Sequence, residues 1–186
     1  MDENTAIVAS KRNNFMSSNK FIEHTIQIDR VTRVVKGGRR FRFRALVVVG
    51  DPKTNQVGIG TAKGGDVTAA VKKATNVAQK KLIKVPVING TIPHQVNAKV
   101  SGAKILIMPA GKGTGLITGG VIRSVLETAG ISNVLSKSRG SSNKINLALA
   151  TIKALNGLTT PDQWTTNLKP AKTQINKVET VWNIIN

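Results

Sequence analysis

The run Lys36-Gly37-Gly38-Arg39-Arg40-Phe41-Arg42-Phe43-Arg44-Ala45-Leu46-Val47-Val48-Val49 decides how the first half of this chain folds. Phe41, Phe43, Ala45, Val47 and Val49 occupy every second position, the period of a strand with one face toward a core. Arg40, Arg42 and Arg44 then project from the opposite face. Residues 30–44 hold seven basic side chains (Arg30, Arg33, Lys36, Arg39, Arg40, Arg42 and Arg44) and no acid. Charge of one sign repels itself and is ordinarily spaced out or paired, so this concentration points to a polyanion that neutralises it. Phe41 and Phe43 are expected in the core, since they only half supply the aromatic layer of a single-strand RNA reader.

On the N-terminal side of this run, Ile26 and Ile28 alternate with polar neighbours up to Val34-Val35, and Gly37-Gly38 turns that strand into the basic one. On the other side, Gly50-Asp51-Pro52-Lys53-Thr54-Asn55 is a turn signal, followed by Val57 and Ile59 alternating with Gly58 and Gly60. A three-stranded antiparallel meander follows. Asp66 stands as N-cap to a helix with Val67, Ala70, Val71, Ala74, Val77, Ala78 and Leu82 inward, and the pattern ends at Val85-Pro86. Lys72, Lys73, Lys80, Lys81 and Lys84 lie on that helix with no acidic partner four residues away, which makes them either phosphate binders or a solvated face.

A second module begins near Val87. Val96, Ala98 and Val100 alternate up to Ser101-Gly102, and Ala103, Ile105 and Ile107 alternate after it, as in a two-residue hairpin. The Gly-rich loop Ala110-Gly111-Lys112-Gly113-Thr114-Gly115 leads to a helix with Val121, Ile122, Val125 and Leu126 inward and Gly130 past its end. The loop's backbone amides, near a helix N-terminus, are candidates to hold a phosphate of a larger polymer. The Gly119-Gly120 pair suggests close approach of backbone to the sheet or to a partner. A short strand around Val134-Leu135 precedes a helix with Asn143 as N-cap, Ile145, Ala148, Leu149, Ile152 and Leu155 inward, and Gly157 past its end. The expected fold is α+β: three strands plus a helix, then a β-β-α-β-α module. Residues 1–19 form an arm, 20–86 the first domain, 87–157 the second and 158–186 an extension.

Charge extends the basic reading to both domains. The formal net charge is +19, of which residues 20–86 carry +11 and 87–157 carry +7. Only Phe15, Phe21, Phe41, Phe43, Trp164 and Trp182 are aromatic, too few to stack a series of unpaired bases. There is no cysteine, and hence no disulfide or thiolate metal site. No signal-peptide run and no stretch of about 18 apolar residues is present, so a soluble, cytoplasmic protein without membrane contact is expected. Catalytic constellations are missing: His24 and His94 are the only histidines, and the loop fits neither G-x-x-x-x-G-K-[ST] nor G-x-G-x-x-G, position 116 being Leu. Neither an enzyme nor a cofactor nor a small-molecule substrate is expected.

Several of these motifs, in order, carry a resemblance. Val31-Thr32-Arg33-Val34-Val35-Lys36-Gly37-Gly38-Arg39, then Ala45 to Asp51, then Val57-Gly58-Ile59-Gly60-Thr61-Ala62-Lys63 resemble the first domain of the ribosomal protein S5 family, the fifth protein of the small ribosomal subunit. Pro109-Ala110, Gly113-Thr114-Gly115, Gly119-Gly120, Arg123, Val125-Leu126-Glu127 and Gly140-Ser141-Ser142-Asn143 are similar to its second. The resemblance implies a first domain like a double-stranded-RNA-binding fold, docking of both domains on small-subunit ribosomal RNA, and the neighbouring proteins S4 and S8. It also implies a place near the messenger entry path, where decoding accuracy is influenced, with the Val31–Arg39 loop reaching RNA near the spectinomycin site. Lys63, Lys72, Lys73, Lys112, Thr114, Arg139, Ser141 and Asn143 join the basic strand as expected RNA contacts. Arg42, Arg44, Lys112 and Lys144 depart from residue types common in the family and make this chain more basic. A free-standing duplex-binding architectural protein is the rival reading; it would bind any duplex and not stay with the ribosome.

Overall fold

A computed structural model of the chain describes residues 21–161 and Trp164. The arm expected over residues 1–19 and all of the extension after Trp164 lie outside the described residues. Strands β1 (Ile22–Val35) and β2 (Gly38–Asp51) form a long antiparallel hairpin, and β3 (Gln56–Gly64) pairs with the other edge of β2. Asp51 holds the β2–β3 turn, accepting hydrogen bonds from the Lys53 amide at 3.0 Å and the Thr54 hydroxyl at 2.9 Å. Helix α1 (Val67–Gln79) follows, then β4 (Ile83–Lys84), giving the sheet order β1-β2-β3-β4. The helix stops before Leu82 because the backbone there pairs with β3, Ile83 opposite Val57 and Lys84 opposite Gln56.

The two faces of β2 are covered differently. Ala45, Val47 and Val49 pack with Ala70, Ala74 and Ala78 of α1, and Phe43 borders this cluster. On β3 the same face is occupied by Gly58, Gly60 and Gly64, and a side chain at Gly58 or Gly60 would collide with the carbonyl oxygens of Ala78 or Ala74. Glycine on the strand and alanine on the helix let the two backbones lie in contact, so the Val57-Gly58-Ile59-Gly60 alternation is a packing device. Leu46 and Val48 point the other way, into a core shared with the second module. The face of β2 opposite the phenylalanines is therefore basic only as far as Arg44, after which it is buried.

In the second module β5 (Val96–Val100) and β6 (Ala103–Pro109) form the expected hairpin, with Ser101 in the left-handed region at φ 52°. Strand β8 (Val134–Gly140) is longer than its apolar start suggested, and an additional two-residue strand, β7 (Leu116–Ile117), pairs parallel to it; the order is β5-β6-β8-β7. Helix α2 (Gly120–Thr128) ends in a left-handed Gly130, whose amide reaches Glu127 O while the Ile131 amide reaches Leu126 O, the paired bonds of a Schellman cap. Helix α3 (Lys144–Asn156) starts at Asn143, whose side chain accepts from the Ile145 amide at 3.1 Å. Helix α2 packs on β1 and β2, and α3 packs on β5 and β6 and reaches β3. Ile122, Val125, Leu126, Ala148 and Leu155 join Leu46, Val48, Val57 and Ile59 to Ile105 and Ile107 in one continuous core. Helices α2 and α3 thus lie between the sheets, and α1 covers the far face of the first.

Candidate nucleic-acid interface

The β1–β2 hairpin runs past the body that buries its base. Every residue from Ala45 to Gly50 is buried, whereas every residue from Gly38 to Arg42 is exposed, so the five residue pairs from Val35–Gly38 to Val31–Arg42 project as an arm about 16 Å long at ~3.3 Å per residue. Its turn is Lys36-Gly37, closed by Val35 opposite Gly38, and Gly38 alone of the two glycines takes positive φ, at 140°. Val34 near the tip is 75% exposed, a large apolar side chain held in solvent.

Directly paired residues share a face of a sheet. The pairings Arg33 with Arg40, Val31 with Arg42 and Asp29 with Arg44, continued by Arg44 with Lys63, put these basic groups on one side of the arm. Arg33, Arg40, Arg42 and Lys63 line a shallow concavity of about 340 Å³ there. Arg44 behaves differently. Its guanidinium donates to Asp29 at 2.7 and 3.2 Å, the one ion pair among the described residues. The Arg44 hydrogen bonds hold the Asp29 carboxyl below its ordinary value of 3.8, with the Gln27 amide donating to it as well. Asp29 stands one position before the acid-free window, and cross-strand register rather than sequence distance makes it Arg44's partner. Of the expected contacts in the basic strand, Arg44 is thus internally neutralised.

The other face of the arm holds Arg30, Thr32 and Val34 opposite Phe43, Phe41 and Arg39. Phe41 is 46% exposed, in contrast to the core position expected for it, because α1 does not extend over it; the Arg30 guanidinium lies 3.8 Å above its ring instead. Lys72 and Lys73 are exposed on the solvent side of α1, across the sheet from Arg40 and Arg42. These cations do not form one surface with the concavity.

In the second module the glycine loop is organised from inside. Buried Asn133 accepts hydrogen bonds from the Gly113 and Gly115 amides at 3.0 and 3.1 Å, and the Thr114 amide reaches Gly111 O. The Gly113, Thr114 and Gly115 amides, among those expected to cradle a phosphate, are thus engaged within the chain; β7 separates the loop from α2, and the Lys112 and Thr114 side chains are exposed. Nothing in the sequence near the loop marks Asn133 as its organiser. Side chains built on Gly119 or Gly120 would meet nothing within 4 Å, so the expected close approach is not made within the described residues. Ser141 accepts from the Asn143 amide at 3.3 Å and its own amide reaches Gly102 O, so both Ser141 and Asn143 shape the start of α3. His94 Nδ1 lies 2.9 Å from Gln95 O, its Nε2 accepts from the Thr159 amide at 3.1 Å, and its ring meets Trp164 edge-on. Among the described residues no group of three or more potential metal ligands exists, and no helix is long and apolar enough to cross a membrane.

Residues 21–86 match the model described as "Ribosomal protein S5, N-terminal domain", and residues 98–167 the one described as "Ribosomal protein S5, C-terminal domain". The chain belongs to the ribosomal protein S5 family. It is 52% identical over 133 residues to the small ribosomal subunit protein uS5 of Bacteroides thetaiotaomicron, covering 72% of this chain and 77% of the relative. To uS5 of Thermotoga petrophila it is 46% identical over 142 residues, 76% of this chain and 79% of the relative. Both domains of the family are present in order, on the α+β architecture described above. As a member of this family it is a structural constituent of the small ribosomal subunit that binds ribosomal RNA.

Proposed function

We propose that this protein holds small-subunit ribosomal RNA through the basic side of its hairpin arm, with Arg33, Arg40, Arg42 and Lys63 as phosphate contacts and Lys36 and Arg39 flanking the tip. The single observation that carries this is the contrast within the cluster: Arg44 has Asp29, whereas these four cations meet no acid among the described residues. Guanidinium groups on a concave surface suit phosphate oxygens, and the aromatic content is too low for base stacking to supply the affinity. Its role is positioning, with no chemical step: residues 20–86 supply the reaching arm and residues 87–157 a second docking body. Arg139, Ser141, Asn143, Lys112 and Thr114 lie on that body, and Lys72 and Lys73 on α1, as further contacts of the same reading. S4 and S8 as neighbours, and an influence on subunit assembly, messenger entry and decoding accuracy, follow from the family resemblance.

The test is retention. The full chain and the triple variant R33Q/R40Q/R42Q are expressed with a tag, and small subunits are sedimented at rising salt. Each lost phosphate contact lowers the slope of log affinity against log salt by about 0.7–0.9. The wild type is expected to stay with the subunit at salt that releases the triple variant. Equal release of both proteins would overturn the reading of the arm.

A further inference from the structure

The chain contains two Asn-Gly pairs, Asn89-Gly90 and Asn156-Gly157, and the fold treats them in opposite ways. Asn89-Gly90 lies between β4 and β5 as a two-residue turn in which both residues have positive φ, at 51° and 78°. It is closed only by the isolated bridge of Ile88 with Thr91, two bonds of 2.9 Å. Asn89 is exposed, and neither it nor the Gly90 amide makes a hydrogen bond among the described residues. The peptide unit joining the pair is therefore held by nothing but the turn, and a turn outside any sheet opens locally at little cost. Asn156 is also exposed, but it ends α3, whose inner face is buried, and the Gly157 amide is held by Ala154 O at 3.1 Å.

We propose that Asn89 is a site of spontaneous deamidation in the folded protein, and that its conversion loosens the glycine loop. The Gly90 nitrogen, unshielded by any Cβ of its own, loses its proton to solvent base and attacks Asn89 Cγ. The new N–Cγ bond closes a succinimide ring, and the Cγ–Nδ2 bond breaks as ammonia leaves with a proton from water. Water then opens the ring at either carbonyl, leaving an aspartyl residue or an isoaspartyl one whose backbone runs through Cβ and Cγ. Water is consumed and ammonia released, with no oxidant or reductant. The consequence lies in what the turn holds. Gly90 O accepts from the Ser132 and Asn133 amides, both at 3.0 Å, and from the Ser132 hydroxyl at 3.1 Å. Asn133 Nδ2 donates to that hydroxyl at 3.0 Å, while its Oδ1 holds the Gly113 and Gly115 amides. An isoaspartyl unit lengthens the turn by a backbone carbon and sets a carboxylate beside this junction. Gly90 O is displaced, and the organiser of the glycine loop loses its anchor.

The second Asn-Gly pair is the internal control. The full chain is aged at mildly alkaline pH, folded and in urea, and sampled by peptide mass mapping. In the folded chain Asn89 is expected to convert several-fold faster than Asn156, whereas in urea the two convert at similar rates. Trypsin cleavage after Lys112 reads the order of the glycine loop. Aged wild type is expected to be cut there several-fold faster than fresh protein. Asn89→Gly keeps a residue that adopts positive φ freely and removes the reacting amide, so its cleavage after Lys112 should not change with age. Absence of conversion at Asn89, or equal conversion of both pairs in the folded chain, overturns the site. Conversion at Asn89 without faster cleavage after Lys112 overturns its coupling to the loop, and so does faster cleavage in aged Asn89→Gly.

Discussion

Strand β2 contains two regions built on the same alternation with opposite fates. From Ala45 to Gly50 both faces are closed, one by α1 and the other by the core under α2 and α3; from Gly38 to Arg42 both are open. The difference is set by what lies opposite. Where β3 places Gly58 and Gly60, the helix backbone lies on the sheet; past Gly64, β2 has no β3 partner and α1 has already begun its course over the base. The base is stabilised by burial, whereas the arm is stabilised by its ladder, its turn and an Arg30–Phe41 stack worth about 0.5–1 kcal/mol at an exposed site. A strand can therefore change from structural element to binding element without a break in its sequence pattern.

The sharpest way to break this comparison is to remove apolar volume from the base. Leu46 is among the larger fully enclosed side chains and sits where the first sheet meets the second module's core. Leu46→Ala is expected to cost about 2–5 kcal/mol, from lost transfer energy and the residual cavity. In a chain of this size that lowers Tm by roughly 5–15 °C. Calorimetry of the full chain checks it, and a shift under about 2 °C would mean that the two modules are not joined through this side chain.

The base was legible in the sequence because burial imposes periodicity: the residues that make β2, β3 and α1 pack are the ones that alternate or recur at helical spacing. What the sequence hid depends on register. Asp29 and Arg44 are fifteen positions apart, and only the pairing of β1 with β2 makes them neighbours. Asn133 is equally remote from the loop it organises, and Lys99, Lys104 and Arg139 form a row only once three strands are aligned. The polar half of β8, Lys137 to Gly140, lacked the apolar alternation that betrays a strand, so its pairing with β6 was invisible.

At the boundary between the two regions sits the Asp29–Arg44 pair, with side chains 26% and 36% exposed. Solvent screens it, and Asp29→Asn is expected to cost at most about 1 kcal/mol. Its pH dependence has a definite sign. Asp29 has a folded pKa below 3.8, so the pair's contribution is complete above the ordinary carboxylate range and is lost as pH falls through the lowered folded value. The stability difference between wild type and Asp29→Asn should then be constant at neutral pH and close at strongly acidic pH. Urea titrations across that range measure it; a difference that widened on acidification would contradict the pairing.

The smallest expected effect has the opposite sign and bears most directly on function. Arg33 and Arg40 face each other across the hairpin, and like charges in directly opposed positions destabilise a sheet by roughly the few tenths of a kcal/mol that opposite charges would contribute. Arg40→Gln is therefore expected to raise the stability of the free protein slightly at low salt. The gain should shrink toward zero near 1 M salt, where the screening length falls to about 3 Å. Urea midpoints of both proteins at low and high salt read this directly. If Arg40→Gln instead loses more than about 0.5 kcal/mol at low salt, Arg40 is a structural member of the arm and the division between base and arm fails. If the variant is more stable alone but leaves the ribosomal subunit earlier, the pair of arginines is kept against the stability of its own strand. A polyanion that neutralises both is then what accounts for their presence.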